Sequence, residues 1–245
     1  MLINRALRRL GYKLVRTSKT GGGYIDATET VKAARAQGLS VREYVESVWN
    51  QQGCTERVIE EMRTAGCLVP CDRIVEVGPG TGRYLEFVLQ QVSPKRCDIY
   101  ETADDWATWL ASTYAPTVVR QPADGHTFSH TPNQSCGLVH AHGVFVYLSL
   151  LHAFEYFQEM VRVCAPQGHI CFDFYQAEAF DEPMLMRWLA YPERYPVVLP
   201  SSLVESFFAH QGCELVHEFD NPHGHGQSHY VLFRRSGVPL DVEIE

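Results

Sequence analysis

The sequence predicts an α/β chain: a doubly wound, mostly parallel sheet with helices on both faces, closed by one antiparallel strand. Three observations carry that expectation. From Asp72 onward, short apolar runs alternate with segments of helical period, the pattern of strands joined by crossover helices. A glycine-rich turn follows the first of those runs. Near the end, two strand-like runs flank a loop rich in Gly, Pro and His, as a hairpin does.

The elements follow in order. Thr28–Gly66 has a helical pattern, with Val41, Tyr44, Val45, Val48 and Trp49 at helical spacing after Ser40 as N-cap. Gly53 interrupts it, and Val58, Ile59 and Met62 resume it. Arg73–Val77 reads as the first strand, Arg83–Val92 as a helix and Asp98–Tyr100 as the second strand. Thr102-Ala103-Asp104-Asp105 has the form of a capping box opening the next helix. Thr117–Arg120, Gly137–Ala141 and His169–Tyr175 read as strands, with a long helix over Leu151–Cys164 before the last. Glu214–Phe219 and His229–Arg234 form the closing pair, joined by a loop over Asp220–Ser228. The chain thus divides into a basic extension (1–27), a helical cap (28–70) and the sheet domain (71–245).

Composition narrows the class. A chain of 245 residues with 45% hydrophobic and 20% charged content is an ordinary globular protein rather than a disordered or fibrous one. No apolar run approaches the roughly 20 residues that span a bilayer, and the start lacks the apolar core of a secretory signal. A cytoplasmic location is the expectation. The eight cysteines are scattered without a Cys-x-x-Cys pair, so reduced thiols are expected; Cys67 and Cys71 lack the second pair that a structural zinc site needs. The net charge is −8, yet six basic residues and no acid precede Asp26. The acidic remainder disfavours nucleic acid. The basic start suits either a solvated tail or a weak contact with an anionic membrane surface or substrate. Thr20-Gly21-Gly22-Gly23 is a hinge after it. Nothing in the sequence sets the oligomeric state.

The segment that decides the class is Arg73-Ile74-Val75-Glu76-Val77-Gly78-Pro79-Gly80-Thr81-Gly82-Arg83. A buried strand runs into a tight turn whose glycines let a ligand approach bare main chain. A dinucleotide fingerprint needs glycine where Arg83 stands, and a Walker loop needs Gly-Lys-Ser/Thr, which is absent. An acid two residues before Gly-x-Gly-x-Gly resembles motif I of class I S-adenosylmethionine-dependent methyltransferases, whose domain is Rossmann-like. The resemblance runs from about Asp72 to Arg234, and it includes the helix and turn over Glu159–Gly168. It implies S-adenosylmethionine as the methyl donor. Glu76, with main-chain groups of Gly78, Gly80 and Gly82, would hold the methionine end. Glu101, beside Thr102, would grip the ribose hydroxyls, and Asp124, with Gly125 and His126, would accept from the adenine amino group. His140 would border the methionine end. Each acid also has a plainer reading: a strand end, a helix flank and a turn, respectively.

Ligands of such sheets bind outside the carboxyl ends of the strands. His140-Ala141-His142-Gly143-Val144-Phe145 ends the fourth strand, and alternation sends both histidines to one side, so at most one is expected to reach the cleft. The closing loop adds His223 and His225. A histidine suits deprotonation of a hydroxyl acceptor, so His142 and then His225 are the candidate bases. Tyr44, Trp49, Phe145, Trp188 and His223 are candidates for acceptor contact, with Tyr44 and Trp49 alternatively helix-face core. No metal site is assigned. The loop histidines could bind a metal or contact a polar acceptor, with a solvated turn as the plainer reading, and the carboxylates of the magnesium-dependent branch are replaced by histidines after the fourth strand. The Asn/Asp-Pro-Pro-aromatic run of nucleic-acid methyltransferases and the paired glutamates of the protein-arginine branch are absent. In arrangement the chain is similar to bacterial enzymes of glycan and secondary-metabolite assembly, which implies O-methylation of a sugar or other small polar acceptor. An N-methyltransferase of small amines, an inactive donor-binding scaffold and a dinucleotide oxidoreductase are the alternatives.

Overall fold

The computed structural model describes residues 25–49, 51–190 and 196–237. The basic start and its glycine hinge, with the surface contact expected of them, lie outside the described residues. Helices α1 (Ala27–Ala36), α2 (Val41–Trp49) and α3 (Cys54–Thr64) come first. The sheet domain then runs β1 (Arg73–Val77), α4 (Arg83–Val92), β2 (Arg96–Tyr100), α5 (Asp104–Thr113), β3 (Val118–Arg120), β4 (Cys136–Ala141), α6 (Leu150–Val163) and β5 (Cys164–Gln176). After it come α7 (Glu182–Ala190), β6 (Val198–Leu199), α8 (Ser201–His210), β7 (Cys213–His223) and β8 (Gly226–Arg235).

The strand order is β3-β2-β1-β4-β5-β8-β7, with the short β6 pairing to β5. Strands β1 to β5 are mutually parallel, and β8 runs antiparallel to both β5 and β7. The expected mixed, doubly wound sheet is therefore present. The order reverses between β1 and β4, so their carboxyl ends open a crevice where ligands of such sheets bind.

Each face of the sheet has its own core. On one side Val75, Val77, Val139 and Phe172 pack with Phe157 and Met160 of α6 and Phe208 of α8. On the other, Ile74, Ile99 and Leu138 meet Leu85 and Val88 of α4. Val58, Ile59 and Met62 of α3 join that second core, so the last helix of the segment 28–70 packs as part of the sheet domain. Ser40 and Glu43 form a reciprocal capping box at the start of α2, with Glu43 N donating to Ser40 Oγ at 3.2 Å and Ser40 N to Glu43 Oε2 at 2.9 Å.

Two local expectations are corrected. The helix after β2 has Ala103 at its N-cap with no side-chain bond, because Asp105 accepts instead from Trp106 N and from Ala27 N of α1. The loop Asp220–Ser228 is mostly ladder, with Asn221 paired to Ser228, Pro222 to Gln227 and His223 to Gly226 around the two-residue turn Gly224-His225. Pro222 is tolerated there because β7 is the sheet's edge and needs no donor on its open side. The stretch between β5 and β7, unassigned from sequence, holds α7, β6 and α8.

Candidate functional site

The crevice is a cavity of about 560 Å3. Its floor is the motif turn Gly78–Thr81 and the end of β1. Its far wall is the tip of the β7–β8 hairpin, and α2 covers it through Val45 and Trp49. The α1–α3 segment is fixed there by polar ties. Trp106 Nε1 donates to Ile25 O at 2.6 Å, and buried Glu46, which accepts from Thr55 Oγ1 at 2.7 Å within the segment, lies 3.6 Å from Arg83 of α4.

Gly78, Gly80 and Gly82 have φ of +58°, +51° and +77°, a region L side chains rarely occupy. A Cβ on Gly78 would lie 2.8 Å from Val144, and one on Gly82 2.4 Å from Leu110. At Gly80 the space is open, so main chain faces the cavity. Glu101 fastens this turn, since Oε2 accepts from Gly80 N at 2.8 Å and Oε1 from Ala103 N at 2.7 Å. Each carboxylate oxygen carries two lone pairs, so Glu101 keeps one per oxygen, although it is buried behind the turn and does not itself line the cavity.

Glu76 is paired in register with His140 across β1 and β4. Burial, then the charge of Glu101, push its carboxyl well above the usual range, and its Oε2 has no partner. His140 Nδ1 lies 4.0 Å from Glu76 Oε1 and 3.2 Å from His142 Nε2. Burial pushes His140 down to about 3 and is the first cause that holds His142 well below its ordinary value, so both rings are neutral. Of the two, His142 reaches the cavity, stacked on Tyr84 with centroids 3.9 Å apart.

Glu76, His140 and His142 offer three ligand atoms within 4.8 Å of one another. A ligating histidine normally anchors its second nitrogen on a carbonyl or carboxylate. Here His140 Nε2 and His142 Nδ1 have no such partner among the described residues. The trio therefore lacks the outer partners of a usual metal site, and Glu76 Oε2 stands open for a partner. Neutral imidazoles beside that position add no repulsion toward a cationic ligand.

Other expected site residues fall in varied places. His223 lines the cavity. Trp49 does too, although 51% exposed, while Tyr44 points elsewhere on α2 and is half-buried. Phe145, expected at the acceptor's edge, is fully buried in the core against Phe157 and Phe172. Trp188 is buried behind the hairpin against Tyr175, and His225 packs edge-on to it at 4.9 Å rather than lining the cavity. Thr102 is exposed. Asp124 lies on a turn outside this cavity, where it accepts from His126 N, Thr127 N and Thr127 Oγ1 around Gly125; His126 Nδ1 pairs with Glu155 at 2.7 Å.

Several lining residues were not singled out from sequence. Arg83 lies 4.6 Å over the Tyr84 ring and 3.6 Å from Glu46, bridging the turn to α2. Asn221, Ser228 and Tyr230 come from the hairpin. Asp173 had a visible signal: a carboxylate inside the apolar run Ile170–Tyr175, where an unpaired charge is costly. It is buried, and Oδ1 accepts from Gly143 N at 2.6 Å.

Solved structures share this architecture. A magnesium protoporphyrin IX methyltransferase from Synechocystis PCC 6803, with bound S-adenosylhomocysteine, superposes with a TM-score of 0.57 at 10% identity, over 88% of this chain and 90% of that one. The N-methyltransferase NodS from Bradyrhizobium japonicum, also with S-adenosylhomocysteine, gives 0.56 at 16% identity over 74% and 86%. An O-methyltransferase family protein from Burkholderia thailandensis gives 0.58 at 12% identity over 84% and 63%. The fold is that of the class I methyltransferases. No family model matches the sequence, and no curated protein does either. Within the methyltransferase fold, the Gly78–Gly82 turn and Glu101 occupy the strand ends where the sequence placed them.

Proposed function

We propose that the chain is an S-adenosylmethionine-dependent methyltransferase acting on a hydroxyl of a sugar or other small polar acceptor. The single observation that carries the reading is the pairing of an open glycine turn with an orphaned, buried Glu76 oxygen at one end of a cavity whose other end is polar hairpin. The residues fit the donor. Glu76 Oε2 would take the methionine ammonium, the Gly80 region the main-chain contacts, and the free lone pairs of Glu101 the ribose hydroxyls.

Bound there, the donor supplies an electrophilic methyl carbon on a sulfonium. The protein's task is then mainly alignment, since holding a nucleophile in line with that carbon is worth about 7–11 kcal/mol. A base adds roughly 3–5 kcal/mol and matters for a hydroxyl, whose proton must leave. The histidines at the wall favour the hydroxyl reading over an amine, which needs only to arrive deprotonated. Trp49 and Val45 cover the cavity and limit water.

The test is incubation of the protein with methyl-labelled donor and a fractionated small-molecule lysate, followed by identification of the labelled product. A methyl ether is expected. Label confined to methylamines, or no label despite donor binding, would overturn O-methylation.

A further inference from the structure

The Tyr175 hydroxyl of β5 contacts His223 at two atoms. It lies 3.1 Å from the His223 carbonyl, which can only accept, so the hydroxyl proton is donated there. With the proton on that side, the geometry assigns the 2.8 Å contact between the same oxygen and His223 Nδ1 as an Nδ1–H donating to it. Nε2 is left as a bare acceptor. It faces Gly143, where an added Cβ would meet it at 3.3 Å, so the absent side chain keeps its approach clear. Both residues line the cavity.

Beside it the hairpin leaves a polar atom without a partner. Asn221 and Ser228 are paired across β7 and β8 and are 3% and 1% exposed; Asn221 Oδ1 is unbonded, and the Ser228 hydroxyl lies beside the buried Asp173 carboxylate. Buried polar atoms left so are costly unless a ligand satisfies them. The carbonyl oxygen of Asn221 calls for a donor, which a second hydroxyl of the acceptor supplies.

We propose that His223 is the general base of methyl transfer, and that Asn221 and Ser228 hold a neighbouring hydroxyl of the same acceptor. The proposal rests on the methyltransferase reading above. In the step, the acceptor oxygen forms a bond to the methyl carbon as the carbon–sulfur bond breaks. The electron pair of that bond goes to sulfur, giving a neutral thioether, and the hydroxyl proton goes to His223 Nε2. The imidazolium has the Asp173 carboxylate as counter-charge, and the half-buried ring releases the proton through the cavity.

The ionisable groups facing the ring are Asp173 and Tyr175 from β5, Arg83 from α4 and Tyr147 after β4. Burial, the largest influence, lowers the ring's basicity; Asp173 opposes it and Arg83 adds to it. His142 is the poorer base. Its Nε2 lies 3.2 Å from His140 Nδ1, and burial, then His140 and Arg83, disfavour its protonation.

Two measurements test this on the full chain. Nitrogen NMR of the imidazole rings in the S-adenosylhomocysteine complex, with His223→Gln assigning the resonance, is expected to show His223 protonated at Nδ1. Tyr175→Phe, a positioning variant, should lose that preference. A ring protonated at Nε2 in the native complex overturns the proposal. In the second, transfer from labelled donor to methyl glycosides with free vicinal hydroxyls is followed against pH. His223→Gln should lower turnover by about 10²–10⁴-fold and remove the low-pH limb, with S-adenosylhomocysteine affinity kept within about threefold. Turnover within about tenfold of the native protein refutes the base assignment. A native protein that binds S-adenosylhomocysteine and labels no glycoside counts against the hydroxyl-acceptor reading, and the NMR result then decides His223 by itself.

Discussion

Replacing Glu101 by Gln tests how the donor turn is held. The native carboxylate accepts from Gly80 N at 2.8 Å and Ala103 N at 2.7 Å, one bond per oxygen. A carboxamide has one acceptor oxygen, so its NH2 must face the other donor. At least one charge-assisted bond is lost, worth about 1.5–3 kcal/mol. The loss falls on a turn whose Gly80 already sits at φ +51°, a conformation kept only while its surroundings enforce it. With about 1.4 kcal/mol per factor of ten, S-adenosylhomocysteine affinity should fall about 10–100-fold if the whole loss bears on binding. At about 2–4 °C per kcal/mol, Tm should fall by about 3–12 °C. Isothermal titration and thermal unfolding read the two effects. Native affinity and native Tm in Glu101→Gln would show that Glu101 neither fastens the turn nor grips the ribose.

Other outcomes follow from the same geometry. Gly82→Ala forces a left-handed conformation and an overlap with Leu110 Cδ2, so a loss of about 2–4 kcal/mol in urea unfolding is expected; an unchanged midpoint would contradict the tight packing of the turn. Phe145→Ala should cost about 3–5 kcal/mol of stability while donor affinity per folded molecule stays native, because the ring is core rather than cavity wall. Asp124 gives a pH signature. Its carboxyl is held down to about 2, first by the Thr127 hydroxyl and further by the amide N–H groups of Thr127 and His126, against about 3.9 in the unfolded chain. A group depressed on folding stabilises above its unfolded pKa, and that contribution fades as pH falls from about 4 through about 2. Asp124→Asn should therefore flatten the acid limb of the urea midpoint between those values, and an identical limb in both proteins would remove Asp124 from the effect.

Much of this fold was legible because its signals are local. Glycine spacing after Arg73–Val77 marked the turn, and the apolar periods of α4 and α6 marked the crossovers. The hairpin tip was less so. Asn221-Pro222 and Gly224–Gly226 have loop composition, but an edge strand tolerates proline, and the β5–β8 ladder carries the pairing onward. α8 carried a readable signal in Leu203, Val204, Phe207 and Phe208 after Pro200. At the site, the resemblance pointed to Glu76, which lines the cavity, and to Glu101, which fastens the turn. The places of His225 and Phe145 were not legible, because a side chain's direction at a turn or strand end depends on tertiary neighbours: Trp188 draws one ring away, and α6 buries the other. Asp173 and Tyr175 matter through contacts with Gly143 and His223, 30 and 48 residues away in sequence, which no local pattern records.

The central claim is that the cavity above Gly78–Gly82 takes a sulfonium nucleoside bearing an amino acid. A crystal structure of the protein with S-adenosylhomocysteine tests it most directly. The ligand's ammonium should lie within hydrogen-bond distance of Glu76 Oε2, with the ribose at Glu101. A cavity left vacant at saturating ligand, or one that instead takes the pyrophosphate of NAD, would contradict it.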